Sequence, residues 1–478
     1  MKVSLIEPKA PDYHIYSRWA IPRLGPPQMA TILRDQGHDV KIYHEDLLEL
    51  SGRRVWEILK SDLVGISITS STAPRGYAMG RLLRLRGVPV VYGGVHPTFM
   101  PEEPLNYGDY VMVGEAEETF PELVNTLAND GDLDEVPNLY YKEDGEPVFT
   151  YEKKTSPAPD DLPIPDLSLI EGHENLKIYP IMTTRGCPHG CTFCCVTSMF
   201  GRKYRLSSIE RVLAQVERYQ GRHIFFCDDN FTVSTDRCKE LLSEMLRRDI
   251  LPSRWNAQVR ADTFKDDELL DLMRRTNCGR VFVGFESIDD QVLEEYHKHQ
   301  TVQDIKNCIA GYHEHGIAVH GMFMFGAEGD TMETFPRTIG FAEEHNLDTA
   351  QFLVLTPVPG SELFNRLDEE GRIFTYDWSL YDGHHVVFEP QHMSPLDLQL
   401  GSLRANRMFY SARSSLRCLS GLRLTTALLR YAGKHVLKKW HKSNSDFLNR
   451  LRRWQKGAAD FPQQFSLRPH KAELQPAF

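Results

Sequence analysis

Short apolar runs alternate with helix-like stretches along most of this chain, and that alternation restricts the fold more than any other feature. From Met1 to about Thr150, "KVSLIEP", "VKIYH", "LVGISITS", "VPVVYGG" and "YVMVGE" read as strands, with segments such as "PPQMATILRDQGH" and "GYAMGRLLRLRG" as helices between them. Strand, helix, strand in repetition predicts a parallel, Rossmann-like sheet wound on both faces. The pattern returns from about Ile178 to Pro390, where "YPIMTTR", "HIFFCDD", "RWNAQVRA", "RVFVGFES", "AVHGMFMFG" and "TAQFLVLTP" are strand candidates. Six such units without a dinucleotide glycine signature predict an incomplete parallel barrel with its site at the C-terminal rim. The proline-rich stretch "SPAPDDLPIPDLSLI" reads as a stiff linker between the two blocks. The expected class is α/β, with residues 1–150 a doubly wound domain, 151–176 the linker, 177–390 a partial (β/α)6 TIM-type barrel, and 391–478 a helical region.

A chain of 478 residues exceeds what one hydrophobic core serves. Its nine cysteines are few and unevenly placed, which argues against a secreted disulfide scaffold and for metal-binding or catalytic thiols in a reducing compartment. "MKVSLIEPKAP" is too short and interrupted for a signal peptide, and no apolar run approaches the roughly 18 residues of a membrane span. The expected location is cytoplasmic, or at most peripheral to a membrane. The net charge of −11 hides an asymmetry: from Arg404 to Lys456 there are fourteen Lys and Arg against one acid, Asp446. That segment mixes Leu and Trp with its cations at roughly helical spacing. It reads as an interfacial helix on anionic lipid or as a helix docked on the barrel, and less well as a nucleic-acid contact, since the rest of the chain is acidic.

In "TTRGCPHGCTFCC", Cys187, Cys191 and Cys194 stand four and then three positions apart, directly after the first barrel strand. Three thiolates can hold three irons of a four-iron, four-sulfur cluster and leave the fourth open to a ligand. The rival is zinc with His189 or Cys195 as fourth ligand, although a second Cys-x-x-Cys knuckle is missing. Three unrelated buried thiols are the bland alternative, disfavoured because four of the nine cysteines fall within nine residues.

Cys-x-x-x-Cys-x-Phe-Cys after a strand resembles the radical S-adenosylmethionine (SAM) superfamily, and the resemblance continues in "FCDDNF", "VGFES", "FGAEGDT" and "TPVPGSELF". "PRLGPP", "YGGVHPT" and "VGEAEET" resemble its cobalamin-binding branch, the class B methyltransferase-like enzymes. The resemblance implies a 4Fe-4S cluster on Cys187, Cys191 and Cys194, with SAM on the open iron and a 5′-deoxyadenosyl radical after one-electron cleavage. It implies an electron donor such as flavodoxin or ferredoxin. Phe193 would pack near the adenine, or serve as a core aromatic. Asp228 and Asp229 would hold the amino group or a substrate polar group, or cap a helix. The family's usual Gly-Gly-Glu is absent at that point. Glu286, ending an apolar strand, would meet the ribose or amino group, or pair with Arg260.

For cobalamin, the same resemblance implicates three loops at one sheet edge: Ser67, Thr69 and Ser70; Gly93, Gly94 and His96; Gly114 and Glu115. Glycines let backbone approach a flat corrin, whereas serines taken singly are turn formers. The motif Asp-x-His-x-x-Gly that supplies a cobalt ligand is missing, so His96 is expected to stabilise the loop or the cofactor tail. The lower face of the cobalt is then expected to meet water or side chains of "YSRWAIPRLG". The function implied is methylation of an unactivated carbon through methylcobalamin. The alternatives are a cyclisation or rearrangement without methyl transfer, or, from another class, a corrinoid carrier without catalysis, which would not need an open iron. Trp378, Tyr381, His384 and His385 are expected to shape the pocket of a small-molecule substrate, a lipid or isoprenoid if the tail meets membrane.

Overall fold

The computed structural model describes residues 1–10, 21–420, 423–457 and 461. Its first block is a seven-stranded sheet in the order β2-β1-β3-β4-β5-β6-β7. Strands β1 (Lys2–Glu7), β2 (Asp39–His44), β3 (Leu63–Ser67), β4 (Val90–Gly93) and β5 (Tyr110–Met112) are parallel and correspond to the five predicted runs. The first three residues of β4 and nearly all of β1 and β3 are buried, as expected of parallel strands covered on both faces. An antiparallel hairpin, β6 (Leu139–Glu143) and β7 (Glu146–Phe149), extends the sheet. It is absent from the sequence reading because its residues are largely exposed and form no apolar run. With β1 between β2 and β3, the C-terminal ends of β3, β4 and β5 lie side by side, where such sheets take ligands.

Downstream, β8 (Tyr179–Ile181) leads into a small antiparallel pair, β9 (Thr184–Arg185) and β10 (Arg205–Leu206). The predicted strand "YPIMTTR" is thus two pieces. β8 then joins β11 (His223–Phe226), β12 (Arg254–Val259), β13 (Cys278–Glu286), β14 (Ala318–Phe325) and β15 (Thr349–Val354) in a parallel sheet of order β15-β14-β13-β12-β11-β8. β8 and β15 are its two edges, so the barrel is open, as predicted. Along β13, Val281, Val283 and Phe285 are fully buried. The intervening Phe282 meets Phe225 and His320 on the opposite face. The period of two thus separates an outer core from the lumen.

The edge strand β15 would be open to further pairing, and the helical region covers it. From helix Pro395–Phe409, Ser402 Oγ and Asn406 Nδ2 each donate to the Phe352 carbonyl at 2.9 Å. The Tyr410 hydroxyl accepts from the Ala350 amide at 3.1 Å and donates to its carbonyl. The linker is laid along both blocks: Gln28 and Arg211 each donate to the Pro163 carbonyl. Trp378, Tyr381 and His385 are at most 4 % exposed. His385 lies between Asp382 and Asn444, and Tyr381 donates to the Thr375 carbonyl. These three are core, which corrects their placement at a substrate pocket.

Candidate active site

At the edge formed by β3, β4 and β5, the loops predicted to meet cobalamin are brought together. Gly94 adopts φ +100°, and a Cβ there would lie 2.8 Å from the Ile68 carbonyl, so only glycine lets this loop fold against β3. Gly114 also has positive φ, and no heavy atom lies within 4 Å of where its Cβ would be. Ser67 and Thr69 are half-buried. Thr69 closes a capping box with Thr72. Open backbone beside small hydroxyl residues suits a flat, amide-rimmed ligand. Gly94→Ala is expected to destabilise the protein by roughly 2 kcal/mol, read as a shift in its denaturation midpoint.

His96 is fully buried. Its Nδ1 lies 3.1 Å from Ser70 Oγ and its Nε2 3.0 Å from the Tyr77 hydroxyl, so both nitrogens are engaged within the protein. Burial lowers its pKa to about 3, which keeps the ring neutral. That is the loop-stabilising arrangement, with Ser70 as its partner. The other expected cover for the cobalt, "YSRWAIPRLG", lies partly outside the described residues. Behind His96, the Glu103 carboxylate accepts from Trp378 Nε1 at 2.9 Å, linking the first sheet to the barrel domain. Burial raises Glu103 to about 7 from 4.5. A proton held more tightly in the folded state means stability is full below the ordinary value and falls as pH rises toward 7. The loss approaches about 3 kcal/mol at about 1.4 kcal/mol per pH unit. Glu103→Gln is expected to flatten this slope when unfolding is compared at pH 5 and pH 8.

Glu115, expected beside the corrin, is gripped by Arg185 and Arg205 of the β9–β10 pair. Glu117 pairs with Arg185 at 2.5 Å. Burial alone would lower the Arg185 pKa, but the two carboxylates hold it above its ordinary value. Sequence reasoning missed this junction, because no local pattern marks an arginine whose partners lie some 70 positions away.

Arg185 opens directly into the cysteine loop. Gly186 turns it with φ +86°, its Cβ position 2.8 Å from the Lys203 carbonyl. The loop is fastened to the barrel by backbone bonds from Thr192 N to the Tyr296 carbonyl and from Leu363 N to the Thr192 carbonyl, at 3.4 and 2.9 Å. Cys187, Cys191 and Cys194 are half-buried free thiols. Burial pushes all three up, Cys194 to about 12. Lys298 and Arg260 act the opposite way on Cys191. Tetrahedral zinc would need sulfurs about 3.8 Å apart, from Zn–S distances of about 2.3 Å. Among the described residues, no three His, Cys, Asp or Glu side chains are close enough to hold a single ion. A cluster places each sulfur on a different iron, and three thiols carried on one loop are a donor set it can take. Cys195 sits at the N-cap of helix Val196–Phe200.

Phe193 packs edge-on against Tyr296, with Lys298 Nζ 5.9 Å from its ring centre. Glu286 adopts φ +62° at the end of β13 and pairs with Lys298 Nζ at 2.7 Å. The buried salt bridge considered from sequence therefore exists, but its cation is Lys298. Arg260 donates instead to the Lys298 carbonyl at 2.5 Å. Asp228 is 2 % exposed; its Oδ1 accepts from the Thr183 amide and hydroxyl and from the Thr184 hydroxyl. It fastens β8 to β11 and does not cap a helix, and its Oδ2 is buried without a partner. Asp229 is half-buried, and burial raises it to about 6.

A family model of the radical SAM superfamily matches residues 181–342, and one of the B12 binding domain matches residues 20–124. An uncharacterized methyltransferase of Pyrococcus horikoshii is 30% identical over 405 residues, covering 81% of this chain and 88% of that protein. Bacteriochlorophyllide d C-12(1)-methyltransferase of Chlorobaculum tepidum is 28% identical over 371 residues, covering 75% and 77%. The solved structure of the cobalamin-dependent S-adenosylmethionine radical enzyme OxsB, with aqua-cobalamin and S-adenosylmethionine bound, aligns with a TM-score of 0.68. It covers 96% of this chain and 81% of that one at 16% identity, a likeness of fold.

Proposed function

Because this chain belongs to the cobalamin-binding radical SAM enzymes, we propose that it methylates an unactivated carbon of a small-molecule substrate. When bound, the cluster supplies the electron that cleaves SAM, and the cobalamin supplies the methyl group. The chain's own residues hold and orient these groups. Cys187, Cys191 and Cys194 ligate the cluster, and Phe193 borders the adenine. Glu286 and Lys298, already facing each other, take the polar ends of SAM, with Asp229 beside them. Asp228, bound to Thr183 and Thr184, holds its part of the rim and offers one free oxygen. Gly93, Gly94 and Gly114 give the corrin backbone to lie on, and Ser67 and Thr69 offer hydroxyls to its amides. His96 and Ser70 brace that loop from behind.

One observation carries the reading: Arg185, the residue that opens the cysteine loop, grips the loop after β5 at the candidate corrin edge. The loop that would hold the cluster is therefore tied to the loop that would border the methyl donor. Similarity to proteins named as methyltransferases supports methylation over rearrangement. Anaerobic turnover with methyl-deuterated SAM, a one-electron reductant and cell extract tests it. A product carrying deuterated methyl together with 5′-deoxyadenosine is expected. Release of 5′-deoxyadenosine with an isomerised or cyclised product would contradict the methylation.

A further inference from the structure

The two helices Ala412–Ser420 and Leu424–Ser443 pack along each other and against the barrel. On the longer one, Thr426, Ala427, Arg430, Val436, Leu437 and Trp440 are buried, so one face docks as the sequence allowed. The opposite stripe, at steps of three and four residues, runs Leu424, Leu428, Tyr431, His435, Lys438, Lys442, apolar at one end and basic at the other. Leu424, Leu428 and Tyr431 are 62, 70 and 51 % exposed, and Leu416 and Leu419 on the shorter helix are 64 and 42 % exposed. Folded chains usually scatter such residues singly. Here five sit on two adjacent helices.

We propose that this face docks on an anionic lipid bilayer. Charge argues for that occupant: residues 412–443 contain no acid. Glu343 and Asp348, which reach the pair from neighbouring elements, are held by Arg417 and Arg423, and Asp446 lies in the first turn of the helix that follows. Leucines beside lysines match a surface in which acyl chains meet anionic headgroups. A nucleic acid would satisfy the lysines and leave the leucines in water. Arg423 and Arg430 donate to the carbonyls of Asn346 and Leu347, just before β15 begins. The apolar end of the face therefore lies toward the N-terminal end of β15, and the helix runs along that edge strand until Trp440 meets His384 and His385 beyond its C-terminal end.

Flotation of the full-length protein with vesicles of phosphatidylglycerol and phosphatidylcholine tests this. Binding is expected, weakened at least about tenfold on pure phosphatidylcholine. Leu424→Ser with Leu428→Ser is expected to weaken binding by a similar factor. Lys438→Gln with Lys442→Gln is expected to remove its salt dependence. Iron content should stay unchanged in all variants, showing that they fold. The proposal is overturned if wild type fails to float with anionic vesicles, or if the leucine variant floats as well as wild type. It is likewise overturned if the protein is a dimer that Leu428→Ser separates, or if it binds nucleic acid and ignores vesicles.

Discussion

Alanine in place of Cys187, Cys191 or Cys194 is expected to cut 5′-deoxyadenosine formation at least about a hundredfold, more than loss of an outer-sphere contact to a metal costs. Burial favours the protonated thiols, so a cluster would displace their protons as it binds. With one ligand gone, two sulfurs must hold a cluster at a half-exposed loop, and iron content should fall with activity. Cys195→Ala serves as the control. Its backbone caps a helix and its side chain has no such duty, so iron per chain should match wild type. Equal iron in the Cys191→Ala and Cys195→Ala variants would remove the assignment.

Arg185→Met is expected to be the most damaging change outside the cysteines. It strands the buried carboxylate of Glu117 and leaves Glu115 with Arg205 alone, their side chains being 6 and 7 % exposed. Breaking such a group from one side costs about 3–5 kcal/mol. Because Arg185 joins the two sheets, the loss should appear as faster proteolysis in the 156–165 linker and as an earlier unfolding midpoint. Arg185→Met combined with Glu117→Gln should recover much of the stability, since Glu115 and Arg205 then still pair and no buried carboxylate is left alone. A single variant as stable as wild type would show that the junction does not hold the domains.

The parallel strands were legible because burial on both faces writes itself as continuous apolar runs, as in "LVGIS" and "RVFVG". The hairpin Leu139–Phe149 was not, since its half-exposed strands write no such run. At the site, the spacing of Cys187, Cys191 and Cys194 and their position after a strand suggested one metal-binding loop, and the structure fastens that loop to the barrel. Gly94 was read as a close-approach position for a corrin, and the structure adds a requirement of the chain itself, a positive φ beside the Ile68 carbonyl. Lys298, Arg185 and Arg205 were hidden, for their meaning comes from partners distant in the chain. Half of what Glu115 does was hidden for the same reason: a carboxylate at a cofactor edge and one that also anchors a domain junction look alike in sequence. Trp378 and His385 sit amid polar residues and read as pocket-forming, yet the structure uses their polar atoms to join buried elements.

The account rests on an iron of the cluster that the protein leaves without a side-chain ligand. Electron paramagnetic resonance of the anaerobically purified, reduced protein, recorded with and without SAM, tests it most directly. A reduced four-iron signal whose g-values move when SAM is added is the expected result. A protein without iron, or a cluster signal indifferent to SAM, would contradict it.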